Sequence, residues 1–357
     1  MASFPGASPL LVPEETARLL REYADRYETA SFLDGDPSWF MHQVSGPGNQ
    51  EVMAFIASAL SYGSRAQFLP KISWLMEQSA GEPEAWVRDG GFLSVLRPGD
   101  PACFYRLYTR GAMATFLSTL RDLLLRHGSL CSFIASPCPV PGPVSGPGFG
   151  TASCTGSGAG SGTGSDPVPG QVSGPGSVSC SGSASGSVSG PVPGQVSGPG
   201  SVSCSGAGSG TGSDPVPGQV SGPGSGPVPV AGPGITALAA VGALCRFFSA
   251  EAPSPVIPKD TTSSCKRICM FLRWMVRDNS PVDLGLWSGL IDKRSLIMPL
   301  DTHVLTEASR LGLLSIRASA PSATMSAARR LTATLATVFP DDPLKGDFAL
   351  FGYGVNH

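Results

Sequence analysis

The sequence predicts an all-α protein, a compact bundle of about eight helices. First, apolar residues recur at intervals of three and four along one stretch after another, which is the spacing of one face of an α-helix. Second, no stretch sustains the alternation of apolar and polar residues that is typical of strands. Third, residues 137–234 follow neither pattern and separate two helix-forming segments.

The first segment, residues 1–136, contains the earlier helices. Pro13 followed by two glutamates is typical of a helix start. The stretch NQEVMAFIASALSYG has helical spacing up to Gly63, which we expect to stop it. RAQFLPKISWLMEQ contains Pro70, which predicts a kink or a restart. GAMATFLSTLRDLLLRHGSL is amphipathic and predicts a C-cap at Gly128.

The second segment, residues 235–357, contains the later helices. Its helical stretches are ITALAAVGALCRFFS, CKRICMFLRWMVR, THVLTEASRLG, SATMSAARRLTATLATVF and DFALFGYG. Together the two segments are long enough for one core, so we predict that they pack as a single composite domain.

Residues 137–234 are a low-complexity insertion. They are almost wholly Gly, Ser, Pro and Val, and PVPGQVSGPG occurs at 167, 191 and 215, a period of 24 residues. Such a composition buries too little apolar area to offset the entropy lost on ordering. We predict a disordered tether that expanded by duplication.

Composition also limits the class of protein. The cysteine count is 9, without a CxxC pair, which favours reduced thiols and a cytoplasmic location. The most apolar run, ITALAAVGALC, is too short to span a membrane. His42 and His303 lack metal-ligand spacing, so neither a metal nor a cofactor is expected. Net charge is −2, but residues 257–331 hold 11 Lys and Arg against 6 Asp and Glu, which suits phosphate contacts or an ordinary helical surface.

Two charged residues stand at predicted helix starts. Asp301, in LIMPLDTHVLTEASRLGL, follows an apolar run and precedes a helix, so it fits either an N-cap or a catalytic carboxylate. Lys266 opens the helix CKRICMFLRWMVR among apolar and thiol side chains. Desolvation there would lower its pKa and favour a nucleophile, whereas a stem packed under a solvated ammonium is the structural alternative.

Three stretches together resemble the helix-hairpin-helix DNA glycosylases, the superfamily of endonuclease III and the 8-oxoguanine glycosylases. LSYGSR resembles the family's early helix-ending turn, CKRICMFL its helix opened by a catalytic lysine, and PLDTHVLTEASRLGL its segment with the catalytic aspartate. FALFGYG resembles the last core helix. The separation of Lys266 from Asp301 is similar to that in the archaeal 8-oxoguanine branch. The longer pattern resembles a bacterial family of uncharacterised proteins near the glycosylases.

The resemblance implies a helix-hairpin-helix bundle that flips a damaged DNA base into a pocket between its two halves. It implies that Asp301 stabilises the charge developing at C1′, and that Lys266 attacks C1′ to form a Schiff base and nick the strand. A monomer acting on damaged duplex DNA is expected, with RNA and nucleosides as the other possible substrates.

Further residues are candidates for nucleic-acid contacts. Ser263 and Ser264 belong to the stretch VIPKDTTSSCK, in the place of the family's hairpin, and Arg267, next to Lys266, could contact a phosphate. Arg273 and His303 lie on the two helices that begin at Lys266 and Asp301. His303 fits equally a hydrogen-bonded residue in a helix's first turn. Tyr62 or Arg65 could fill the gap left by a flipped base, with a buried tyrosine and a solvated arginine as the alternative. Trp287 could stack on a base or belong to the core.

The sequence also departs from the glycosylase pattern. The hairpin VIPKDTTSSCK has no glycine, Gly63 stands where endonuclease III-like members carry glutamine, and the four C-terminal cysteines of an iron–sulfur cluster are absent. Without hairpin glycines, backbone N–H groups approach a phosphate less readily. The second hypothesis is therefore a non-catalytic nucleic-acid-binding protein on the same scaffold.

Overall fold

The computed structural model describes residues 9–136, 234–251, 254–314 and 323–356. The predicted disordered insertion, apart from Gly234, lies outside the described residues. The described parts of the two flanking segments belong to one compact unit, and they share one hydrophobic core.

The described chain is mostly helical, as the sequence predicts. The first segment holds α1 (Glu14–Tyr27), α2 (Pro47–Leu60), α3 (Arg65–Gln78), α4 (Pro83–Arg88), α5 (Arg110–His127) and α6 (Leu130–Ala135). The second holds α7 (Ala237–Glu251), α8 (Lys266–Val276), α9 (Thr302–Arg310), α10 (Met325–Val338) and α11 (Lys345–Asn356). Short 3₁₀ helices lie at Ala30–Leu33, Pro37–His42, Gly91–Ser94 and Lys293–Ser295.

The helix boundaries follow local chemistry in most places. Pro13 precedes α1, whose first turn carries the two glutamates, and Gly128 caps α5 with a φ of 82°. α2 ends at Leu60, and Gly63 follows with a φ of 82°. Of the two alternatives predicted at Pro70, a kink or a restart, the restart is excluded, because α3 runs through Pro70. None of the described helices has the length and apolarity that crossing a membrane requires.

A small β-hairpin was not predicted. Strands β1 (Cys103–Tyr105) and β2 (Tyr108–Thr109) pair antiparallel, with Tyr105 opposite Tyr108. The turn residue Arg106 has a φ of 51°, and its neighbour Leu107 is 83% exposed at the tip. Strands this short cannot show a convincing alternation, so the pattern of apolar residues could not indicate them.

The core joins the two segments through α2 and α8. Residues Glu51 to Leu60 of α2 are all buried, and α2 packs against α8. The Phe55 ring lies 5.0 Å from Phe271 of α8, 5.4 Å from Phe248 of α7 and 5.8 Å from Phe116 of α5. Aromatic pairs at such separations add to the free energy gained by burying their area. The two segments therefore stabilise one another.

Buried charges also join the segments. Arg277, at the end of α8, pairs with Glu28 at 2.6 Å, with Asp342 at 2.8 Å and with Asp283. In the first segment, the Glu51 carboxylate accepts hydrogen bonds from the backbone N–H groups that begin α6 and from Trp287 Nε1. Each charge is matched by several partners, which is the condition for burying it.

Candidate functional site

Lys266 and Asp301 meet at the starts of two helices. Lys266 is the first residue of α8, and Asp301 is the N-cap of α9. Lys266 Nζ lies 2.8 Å from Asp301 Oδ2, and the two side chains are 32% and 29% exposed. The desolvation of Lys266 predicted from its neighbours is therefore only partial. Solvent therefore reaches the pair, but the surrounding residues limit the water that competes for the Lys266–Asp301 contact.

The two interpretations of Asp301 are compatible. One carboxylate oxygen, Oδ1, accepts the Val304 N–H at 2.9 Å and caps α9, while Oδ2 pairs with Lys266. Burial raises the pKa of the Asp301 carboxyl, but the Lys266 ammonium, its hydrogen bond and the Val304 N–H more than offset this. The pKa therefore lies below its ordinary value, and the carboxylate is ionised at neutral pH.

A cavity of about 760 Å³ opens beside this pair. Its walls come from the 3₁₀ helices at Ala30–Leu33 and Pro37–His42, from the turn after α2, and from α3, α8, α9 and α11. Its aromatic lining is Phe32, Tyr62, Phe68 and Phe351, and its charged lining is Asp36, Arg65, Lys266, Arg273, Asp301, His303, Glu307 and Asp347. This volume falls in the range of small-molecule sites, roughly 300–1,000 Å³.

Ser264 holds the two helix starts in position. Its hydroxyl donates to the carbonyl of Leu300, the residue before Asp301, at 2.8 Å, and its N–H donates to the carbonyl of Ala323 at 3.2 Å. The residue is buried. Both donors of Ser264 are thus engaged within the protein, and its predicted contact with a phosphate remains a prediction. Ser263 is exposed, with its Oγ 3.6 Å from Cys265 Sγ.

Two arginines predicted to contact nucleic acid are engaged inside the protein. Arg267 donates to the Ala59 carbonyl at 2.6 Å and to the Tyr108 hydroxyl. These hydrogen bonds join α8 to the end of α2 and to the β-hairpin. Arg273 is buried and pairs with Asp283 at 3.2 Å and with Asp347. Arg273 lines the cavity wall but is paired with two carboxylates, and its predicted contact with nucleic acid remains a prediction.

Trp287 lies outside the cavity lining. It is buried in the core, where its ring is 5.2 Å from that of Phe271 and its Nε1–H donates to Glu51 at 2.9 Å. The structure thus supports the core alternative for Trp287, not the stacking on a base.

The turn after α2 lines the cavity with residues 61–65, which include Tyr62, Gly63 and Arg65. The Tyr62 ring is flanked by the guanidinium carbons of Arg106 at 5.3 Å and Arg267 at 5.5 Å. Gly63 has positive φ, and a Cβ there would lie 2.9 Å from the hydroxyl of Tyr105 in the β-hairpin. The close approach of the β-hairpin to the turn after α2 therefore requires glycine at this position.

Arg65 pairs with Asp36 at 3.1 Å and stays 49% exposed, and its guanidinium lies 5.8 Å from the Phe351 ring. His303 is exposed and also lines the cavity, on the first turn of α9. Within the described ranges, no cluster of three His, Cys, Asp or Glu side chains is placed to hold a metal.

The sequence did not indicate three further carboxylates in the lining, Asp36, Glu307 and Asp347. Glu307 lies within the stretch PLDTHVLTEASRLGL. Asp36 accepts from the Ser38 N–H and hydroxyl as the cap of a 3₁₀ helix, and Asp347 receives the Arg273 guanidinium. Asp36 and Asp347 lie next to recognised stretches but belong to no motif, so only the fold brings them to the cavity. The same is true of Arg106 on the unpredicted hairpin.

Comparison with known proteins gives one match. A family model described as "Protein of unknown function (DUF2400)" matches residues 36–143 and 240–356, which together include Lys266, Asp301 and most of the cavity lining. No curated protein and no solved structure matches the chain.

Proposed function

The chain belongs to the family described as a protein of unknown function (DUF2400), and we propose that it is a DNA glycosylase-like base-excision enzyme with lyase activity. The observation that carries the proposal is the 2.8 Å pairing of Lys266 with an ionised Asp301 at the wall of a cavity of about 760 Å³. The match of LSYGSR, CKR and PLDTHV to the glycosylase pattern supports the same assignment.

In this proposal, Asp301 stabilises the positive charge that develops at C1′ as the glycosidic bond breaks. Its carboxylate is fixed by the Val304 N–H, so little reorganisation is needed as that charge appears. Comparable fixed electrostatic groups contribute about 10²- to 10³-fold to a rate.

Lys266 acts as the nucleophile. Before it attacks C1′, the ammonium loses one proton, and Asp301 Oδ2 is the acceptor that it already contacts. As Nζ attacks C1′, the base departs with the proton held by Asp301, which is again a carboxylate. A proton passes from Nζ to the ring oxygen O4′ as the ring opens to a Schiff base between Nζ and C1′, and Asp301 then takes a C2′ proton as the 3′ phosphate is expelled. Phe32 and Phe351 provide aromatic faces in the cavity for an extruded base.

Borohydride trapping on labelled oligonucleotides tests this proposal. The panel carries 8-oxoguanine, uracil, an oxidised pyrimidine and an abasic site. Lys266→Gln should abolish the covalent adduct, and Asp301→Asn should slow base release by about 10²- to 10³-fold. Lys293→Gln is a matched control, because Lys293 is 30% exposed and pairs with Asp278 at 2.6 Å, and neither residue lines the cavity. An adduct that survives Lys266→Gln would disprove the nucleophile.

The second candidate function, non-catalytic binding of nucleic acid on the same scaffold, is motivated by a departure from the glycosylase pattern that weakens the catalytic assignment. The stretch VIPKDTTSSCK between α7 and α8 has no glycine. The N–H of Ser264 donates to the Ala323 carbonyl, and the N–H of Cys265 donates to Ser263 Oγ. Backbone anchoring of a phosphate by these N–H groups would require them to rearrange. This function predicts that Asp301→Asn leaves duplex affinity unchanged and that no oligonucleotide in the panel loses a base.

A further inference from the structure

A cluster of cations surrounds the β-hairpin formed by β1 and β2. Residues 97–110 contain three arginines and one aspartate, and Lys71 of α3 places its Nζ 5.5 Å from the centre of the Phe104 ring in β1. We call these four cations the β-hairpin surface: Lys71, Arg97, Arg106 and Arg110. The aspartate, Asp100, accepts the Ala102 N–H at 2.9 Å, so its carboxylate stabilises the loop that leads into β1.

The cations of the β-hairpin surface differ from the arginines that line the cavity. Arg65 and Arg273 each pair with a carboxylate at 3.1–3.2 Å. Within the described residues, none of the four cations of the β-hairpin surface forms an ion pair. Arg97 and Arg106 are exposed, and the other two are half-buried. Uncompensated charge of one sign creates a positive potential that favours an anionic partner.

Arg106 connects this surface to the edge of the cavity. Its guanidinium carbon lies 5.3 Å from the centre of the Tyr62 ring, and its Nη1 lies against Gly63, where a Cβ would collide with it. Tyr62 and Gly63 both line the cavity. The φ of Arg106 is 51°, which a glycine would adopt without strain, and its neighbour Leu107 is 83% exposed. An arginine kept in a strained turn beside an exposed leucine indicates a contact outside the fold.

We propose that the β-hairpin surface binds the phosphate backbone of duplex DNA at the edge of the cavity, with Arg106 on the phosphate nearest to the extruded nucleotide. An extruded nucleotide stays joined to its strand on both sides, so its flanking phosphates must pass this edge. The planar guanidinium donates to two phosphate oxygens at once, and a lysine adds a point charge. The inference rests on the proposed function for the extruded nucleotide, whereas the duplex contact itself is common to both candidate functions.

The β-hairpin surface would supply the DNA anchor that the glycine-free stretch VIPKDTTSSCK lacks. The N–H groups of Ser264 and Cys265 in that stretch already donate to protein oxygens and would have to rearrange to bind a phosphate. The side chains of Arg97 and Arg106 reach solvent as they stand. Cations that neutralise phosphates release counterions, so the logarithm of the affinity falls with the logarithm of the salt concentration by about 0.9 for each phosphate.

Salt-dependent binding of the full-length protein tests the surface. Affinity for a labelled duplex is measured by fluorescence anisotropy across a series of potassium chloride concentrations, with urea denaturation to show that each variant is folded. We expect Arg106→Gln and Lys71→Gln each to reduce the slope by about 0.9, and Arg106→Lys, which keeps the charge, to retain most of it. Arg18→Gln is the matched control, because Arg18 is exposed on α1 and does not line the cavity. Its slope should equal that of the wild type.

Two results would overturn the inference. One is an unchanged slope in both Arg106→Gln and Lys71→Gln. The other is a larger loss of slope on single-stranded RNA than on the duplex, which would assign the surface to a different nucleic acid.

Base release by the same variants separates this inference from the proposed function. If the wild type releases no base but the two glutamine variants lose slope on the duplex, the proposed function fails and the surface remains, as the non-catalytic function expects. If the wild type releases a base and the slopes of both variants are unchanged, the proposed function stands and the β-hairpin surface is refuted.

Discussion

The Lys266 ammonium contacts the Asp301 carboxylate at 2.8 Å, and the Ser264 hydroxyl joins the same two segments at 2.8 Å. Ser264 precedes Lys266 by two residues, and Leu300, which accepts the Ser264 hydrogen bond, precedes Asp301 by one. Ser264 therefore sets the backbone separation, and the ion pair forms within it. A site that must bring two charges together in one geometry needs such a support.

Substitutions at Asp301 should separate its capping role from its charge. Asparagine caps a helix about as well as aspartate, whereas alanine costs about 1 kcal/mol. We expect Asp301→Ala to lower the free energy of unfolding by about that amount more than Asp301→Asn. Urea denaturation followed by circular dichroism measures both. Equal stability of the two variants would show that the Val304 N–H contributes nothing as a cap.

The charge of Asp301 should appear as a pH dependence. Its folded pKa lies below the ordinary 3.8, so the folded state favours the ionised form. The stabilisation is fully present above 3.8 and is lost as pH falls through the folded pKa. The difference in unfolding free energy between wild type and Asp301→Asn should therefore shrink as pH falls below 3.8. A difference that grows on acidification would contradict the lowered pKa.

The helix starts at Lys266 and Asp301 could be predicted from the sequence, because the residues that begin a helix are close together in the chain. A lysine before an apolar helical stretch and an aspartate before another are visible within a few residues. Their contact was inferred only from the glycosylase resemblance. The supports of the site, such as Ser264 bonded to Leu300, join residues far apart in the chain. No local pattern contains that information.

The same limit explains the other differences. Arg273 and a surface arginine look alike in a sequence, and only the fold shows that Asp283 and Asp347 surround Arg273. The hairpin that carries Arg106 is too short for its alternation to stand out. Trp287 had two interpretations until its contact with Glu51 was seen.

Removing Arg277 should destabilise the fold strongly. Arg277→Met would leave Glu28, Asp283 and Asp342 without their shared cation. Breaking a buried pair in this way costs about 3–5 kcal/mol, because uncompensated charge stays buried. The urea midpoint should fall accordingly. Arg294→Met, which removes an exposed partner of Asp292, is the control and should leave the midpoint unchanged.

Trp287→Phe should cost stability without weakening nucleic-acid binding. The substitution keeps most of the buried aromatic surface but removes the donor to Glu51, at a cost of about 1–3 kcal/mol. Duplex affinity measured by fluorescence anisotropy should stay unchanged in conditions where the variant is folded. A loss of affinity without a loss of stability would instead indicate that Trp287 contacts the ligand.

Leu107 should matter for duplex substrates under the proposed function. It is 83% exposed at the tip of a hairpin whose Arg106 contacts the cavity residue Tyr62. An apolar side chain so placed can separate stacked bases. We expect Leu107→Ala to slow base release from duplex, measured in single turnover, and to leave single-stranded substrates unaffected. Leu93→Ala, at another exposed leucine that does not line the cavity, is the control. Equal effects on both substrates would exclude an unstacking role.

Deleting residues 140–230 should leave a folded protein. The family match breaks between residues 143 and 240, and the two flanks contact each other through the Phe133 and Phe247 rings, 5.1 Å apart on α6 and α7. Loop length enters the closure free energy only logarithmically, at about 0.6 kcal/mol for each doubling. The deletion variant should therefore unfold in urea in one cooperative transition, with a midpoint at or slightly above that of the full chain. A broad or biphasic transition would mean that the deleted residues stabilise the domain directly.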